Sequence, residues 1–144
     1  MRSNDLRYLL ALLGAICLAS ALAAGCPNRA ASDETPEGAL TIFLAAMNDG
    51  DRGRAYDLLD PDAQRVLRER ASRASREAGQ ELAPSEMLAV DRFVLRWDIY
   101  RMTSRIEGDE AQVEATGNVE GQRATVDLRR VDGRWRVVLP LDAQ

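Results

Sequence analysis

The sequence predicts an α+β domain, with helices first and an antiparallel meander after them, behind an apolar N-terminal segment. Three observations carry this. Apolar residues recur at helical spacing between residues 35 and 79, and each run follows a capping residue. From residue 93 the spacing shortens towards two. Gly108-Asp109, Glu120-Gly121 and Asp132-Gly133 then separate the alternating runs, close enough together for tight antiparallel connections.

Each element follows from its residues. Thr35-Pro36-Glu37 starts a helix: Thr caps, Pro fits the first turn, and Glu suits the positive end of the dipole. Leu40, Phe43, Leu44 and Met47 give it one apolar face, and Asn48-Asp49-Gly50 stops it. Asp51 caps a short second helix with Ala55, Tyr56, Leu58 and Leu59 turned inward. Asp60-Pro61 repeats the cap-plus-proline signal and opens a third helix that ends near Gly79. Its inward face is Ala63, Leu67, Ala71, Ala74 and Ala78. Arg65, Arg68, Arg73 and Arg76 lie roughly opposite, with Glu69 placed to pair with Arg73. A solvated helix face accounts for this stripe more simply than contact with anionic headgroups does. Pro84-Ser85-Glu86 starts a short helix through Met87, Leu88 and Val90. Four alternating sets follow: Tyr100, Met102, Ser104, Ile106; Ala111, Val113, Ala115; Ala124, Val126, Leu128; Trp135, Val137, Leu139. They predict a meander with one buried face, packed under the helices.

Composition narrows the chemistry. The chain of 144 residues has no His, which excludes a Ser-His-Asp triad, a Cys-His dyad and a His-ligated metal. Its two cysteines, Cys17 and Cys26, build neither a zinc ribbon nor a disulfide framework. The net charge is −4, so nucleic acid is not an expected partner. No Gly-rich phosphate loop follows a strand. Asp49, Asp51 and Gly53 suggest a calcium loop only faintly, because Arg54 and Asp60 stand where such a loop needs Gly and Glu. No cofactor and no metal ligand set is expected.

The N-terminus reads as an address. Arg2 and Arg7 precede residues 8–25, which carry no charge and end in small residues. The run Leu22-Ala23-Ala24-Gly25-Cys26 resembles a bacterial lipobox, although Ala23 stands where Leu is commoner. The resemblance implies cleavage between Gly25 and Cys26 and lipidation of Cys26, with acyl chains that anchor the protein to a membrane. Cleavage by ordinary signal peptidase after Ala23, an uncleaved membrane helix and an incidental thiol remain open alternatives. Three segments follow: a signal peptide at 1–25, the lipidated Cys and a tether at 26–34, and a domain at 35–144.

The domain has its own resemblance. Thr35-Pro36-Glu37-Gly38-Ala39, Phe43-Leu44-Ala45-Ala46, Asn48-Asp49-Gly50-Asp51, Ala55-Tyr56-Asp57-Leu58-Leu59, Asp60-Pro61 and Val131-Asp132-Gly133-Arg134-Trp135-Arg136-Val137 occur in that order. Together they resemble bacterial lipoproteins that carry a small nuclear transport factor 2-like (cystatin-like) domain. The resemblance covers about residues 35–140 and implies a curved antiparallel sheet wrapped around a long helix in a cone. Fold alone does not fix function there, because such cones host isomerases, dehydratases and binding modules. Pro27, after the Cys, lacks the Asp of an inner-membrane retention signal. The expected location is therefore the cell envelope, on the outer membrane facing the periplasm if the cell is Gram-negative.

The expected function is a lipid-anchored, non-catalytic domain that binds an envelope protein or a small ligand. The alternative is a small isomerase- or dehydratase-like enzyme with an Asp/Tyr pocket. Tyr56, Trp97, Asp98 and Tyr100, with Asp57, are the candidate pocket residues, because an acid beside aromatics is a candidate base. Tyr56 and Trp135 also read as core. No catalytic set is assigned.

Overall fold

In a computed structural model, residues 31–88, 95 and 97–140 are described. Gly25, Cys26, Val90 and the start of the period-two region at residue 93 lie outside them. Among the described residues, three α-helices precede a four-stranded sheet: α1 Pro36–Asn48, α2 Arg52–Asp57, α3 Pro61–Ala78, then β1 Arg101–Glu107, β2 Glu110–Thr116, β3 Arg123–Val131 and β4 Arg134–Val137. The α+β class and the order of helices before strands are as the sequence predicts.

The helix starts are local chemistry. Thr35 Oγ1 accepts from Gly38 N at 3.2 Å, Asp51 Oδ1 from Arg54 N at 3.0 Å, and Asp60 Oδ1 from Ala63 N at 3.1 Å. α3 stops at Gly79, whose φ of 68° is a left-handed C-cap. In α3, Ala63, Leu67 and Ala71 are buried, but Ala74 is half-buried and Ala78 exposed. The predicted inward face therefore runs one turn too far, because the last turn outreaches its packing partners. Glu69 pairs with Arg65 at 3.1 Å, a turn earlier than the predicted Arg73. The expected helix at Pro84 is a 3-10 turn, Pro84–Met87. Leu88 follows in extended backbone and is buried.

The sheet is an antiparallel meander in the order β1-β2-β3-β4. Its register stacks the predicted alternating sets on one face: Met102 opposite Ala115 opposite Ala124, and Ala111 opposite Leu128 opposite Val137. The hairpin at Asp132-Gly133 has φ of 50° and 78°, the double left-handed turn that an Asp-Gly pair favours. α1 packs on this face against β1, β2 and β4. The core joins Leu40, Phe43 and Met47 of α1 to Leu59, Leu67, Val113, Leu128, Trp135 and Val137. Two residues of the first predicted set, Tyr100 and Ile106, are exposed instead. They flank the stretch of β1 that α1 covers, where Thr41 Oγ1 meets Met102 Sδ at 3.7 Å.

The outer side of β4 is occupied. Trp135 N donates to Asp33 O at 2.8 Å, Val137 N to Leu58 O at 2.8 Å, and Asp60 N to Val137 O at 3.0 Å. Asp33, which the sequence reading places in the tether, is thereby fastened to the sheet. Its carboxylate also accepts from Arg134 and Arg136, each at 2.7 Å.

Candidate functional site

Small residues make an apolar hollow on the inner face of the sheet. Ala115 of β2 lies directly opposite Ala124 of β3. Two methyl groups leave unfilled the space that larger side chains fill elsewhere on this face. Leu40, Phe43 and Leu44 of α1 wall the space, and Val126, Val137 and Leu139 close it, giving a groove of about 440 Å³. A second hollow of about 380 Å³ shares Leu44 and Leu95 with the first and adds Asn48, Trp97, Asp98 and Ile99. An apolar groove thus adjoins a polar mouth, a common design for a small-molecule site.

Trp97 is held at that mouth by a glycine. A Cβ on Gly117 would lie 2.8 Å from Trp97 Cε3 and 2.8 Å from Gln122 Cβ, so only glycine admits this approach. Gly117 N donates to Gln122 O at 2.9 Å, closing the β2–β3 loop beneath the indole.

The structure brings together two of the predicted pocket residues. Trp97 and Asp98 line one hollow. Asp98 is exposed, so its carboxylate stands in water rather than against an apolar wall. Tyr100 is 68% exposed, with the Arg101 guanidinium 6.0 Å from its ring centre. Tyr56 is engaged between α2 and α3: its hydroxyl donates to Gln64 O at 3.3 Å and accepts from Arg68 at 3.0 Å. Asp57 is exposed on the same short helix. The groove residues Ala115, Ala124, Val126 and Leu139 carried no functional signal in the sequence, since each reads as an ordinary inward strand position.

Charged groups cluster instead at the β3–β4 side. Arg129 reaches Asp60 Oδ2 at 3.3 Å and Asp62 Oδ2 at 3.0 Å, beside its cross-strand neighbour Arg136. Burial is the largest single influence on Asp33 and favours the neutral acid. The hydrogen bond from Arg136, then the charge and hydrogen bond of Arg134, together outweigh it and hold the carboxyl below its ordinary value. All these acids face arginines, so the cluster is a structural clamp. On α3, Arg65, Arg68, Arg73 and Arg76 share an exposed face with Glu69 and Ser72. Arg65 is already paired and Arg68 holds Tyr56. No group of three or more metal-ligating side chains occurs among the described residues. No helix among them is long and apolar enough to cross a membrane.

Comparison with known proteins finds no matching family model, no matching curated protein and no matching solved structure.

Proposed function

We propose that this protein is a bacterial lipoprotein of the cell envelope, anchored through acylated Cys26, whose domain holds a small, largely apolar ligand without transforming it. The groove over Ala115 and Ala124 carries the binding half of this reading. Its lining is mostly aliphatic and aromatic, with Thr125 and Asp127 as its polar members, and its volume of about 440 Å³ falls in the range of small-ligand sites. The acid in the lining, Asp127, is exposed and accepts from Gln112 Nε2 at 3.0 Å; Asp98 stands exposed in the neighbouring hollow, and Tyr56 is committed to Arg68 and Gln64. A ligand here meets shape and apolar surface rather than a poised acid or base. In this reading the helices and sheet form a cone of the nuclear transport factor 2-like type, with the groove at its open end.

The lipobox resemblance of Leu22 to Cys26 carries the anchoring half. Intact mass of the membrane-extracted protein tests it: a chain beginning at Cys26 with acyl mass is expected, and Cys26→Ser abolishes both. An unmodified chain starting at Ala24, or a retained Met1, overturns the anchor. The groove is tested on the full chain with the apolar dye N-phenyl-1-naphthylamine. Saturable fluorescence enhancement is expected, and Ala124→Phe, which fills the floor, reduces it at least tenfold. Dye binding that Ala124→Phe leaves unchanged overturns the assignment.

A further inference from the structure

Among the described residues, the sheet is finished on one side and open on the other. At β4 the outward N–H groups of Trp135 and Val137 are taken by Asp33 and Leu58. At β1 no strand lies on the outer side among the described residues. The ladder fixes which groups point out there. The two-residue turn at Gly108-Asp109 closes on Glu107 and Glu110, which makes them a mutually hydrogen-bonded pair. Such pairs recur at every second residue. Arg101, Thr103, Arg105 and Glu107 therefore turn their amides towards β2, and Met102, Ser104 and Ile106 turn theirs outward. The same rim carries Ile106, 48% exposed, and ends at Tyr100. An open edge with exposed apolar side chains is a template for another strand.

Laid beside a second antiparallel copy, β1 is complementary to itself. Pairing centred on Ser104 sets Arg101 opposite Glu107 of the second copy, Met102 opposite its Ile106, and Thr103 opposite its Arg105, with the reverse pairs completing the set. The outward amides of Met102, Ser104 and Ile106 then meet in mutually hydrogen-bonded pairs, and the inner faces of both sheets lie on one side. Neighbouring registers are worse. Centring on Thr103 sets Arg101 opposite Arg105 twice, and centring on Arg105 sets the two Arg105 side chains against each other. Like charges directly opposite destabilise a sheet, so charge selects the Ser104 register.

We infer that β1 is a dimerisation edge, at which two copies of this chain pair antiparallel about a two-fold axis through Ser104 and join their sheets into one. Such an interface is isologous and closed, so it ends at two copies. It rests neither on the anchor nor on the groove.

Sedimentation equilibrium of the full chain in density-matched detergent is the test. A protein mass twice that of the denatured chain is expected. Glu107→Arg alone and Arg101→Glu alone each place like charges in register and weaken the dimer by about tenfold. The double variant Arg101→Glu/Glu107→Arg restores the pairing with its signs exchanged and recovers wild-type affinity, which a folding defect would not do. A monomer at all concentrations overturns the inference. So does a dimer indifferent to both single variants, or one that the double variant fails to restore.

Discussion

Asp33 shows how one side chain can fix the start of a domain. Its carbonyl takes the outward N–H of Trp135, and its carboxylate takes Arg134 and Arg136. The carboxylate side chain is only 14% exposed, so solvent screens these bonds less than it does an open surface pair. Asp33→Ala removes two charge-assisted bonds and is expected to lower stability by about 1–3 kcal/mol at neutral pH. The pH dependence follows from the lowered carboxyl. A depressed acid contributes fully above its unfolded pKa, near 3.9, and loses that contribution as pH falls through the lower folded value. Urea titrations of wild type and Asp33→Ala between about pH 6 and about pH 2 should therefore converge at the acid end. A gap that stays constant with pH would mean that the carboxylate's charge plays no part.

At the scale of elements, Asp60 does two jobs with two oxygens. Oδ1 caps α3 through Ala63 N, while Oδ2 meets Arg129 of β3. Among the described residues it is the only polar one in the buried core, and Arg129 and the helix start are what permit it there. Asp60→Ala loses both and is expected to cost about 2–4 kcal/mol, including the orphaned amide. Asp60→Asn keeps an oxygen for the cap and is expected to recover about 1 kcal/mol of that. Chemical denaturation of the pair of variants separates the two roles, and equal losses would mean that the cap contributes nothing. The caps at Thr35, Asp51 and Asp60 were legible because a cap and its helix lie within three residues of each other. The Asp132-Gly133 hairpin was legible for the same reason. The exposed ends of β1 were not, because an alternating pattern says which face a residue shares but not how far a helix covers that face.

For the whole molecule, Trp135 ties the layers together. It is 1% exposed in the core that joins α1 to the sheet, and the Arg130 guanidinium lies 4.5 Å from its ring centre. Trp135→Ala is expected to cost about 3–5 kcal/mol, a large share of an ordinary domain's total of about 5–15 kcal/mol. Thermal unfolding followed by circular dichroism reads this directly. Arg130→Ala removes the cation–π contact and is expected to cost about 0.5–1 kcal/mol. If the two variants lost the same amount, the indole's burial would not be what matters. The sheet's two edges also differ at this scale. Asp33 and Leu58 to Asp60 close the β4 edge, whereas β1 presents a self-complementary strand.

The sequence by itself determined the α+β class, the helix starts, the alternation of the strands and the apolar segment that precedes Cys26. All of these are set by neighbours a few residues apart, through capping, turn chemistry and period. Tertiary structure alone decided that Asp33 belongs to β4, more than a hundred residues away, and that Arg129 answers Asp60. It alone set Ala115 against Ala124 and so opened a groove where the sequence shows two ordinary strand positions. It also separated Tyr56, held by Arg68, from the hollow that Trp97 and Asp98 line. The physical reason is that register and packing compare residues distant in the chain, and a local pattern carries no record of which distant residue will stand opposite.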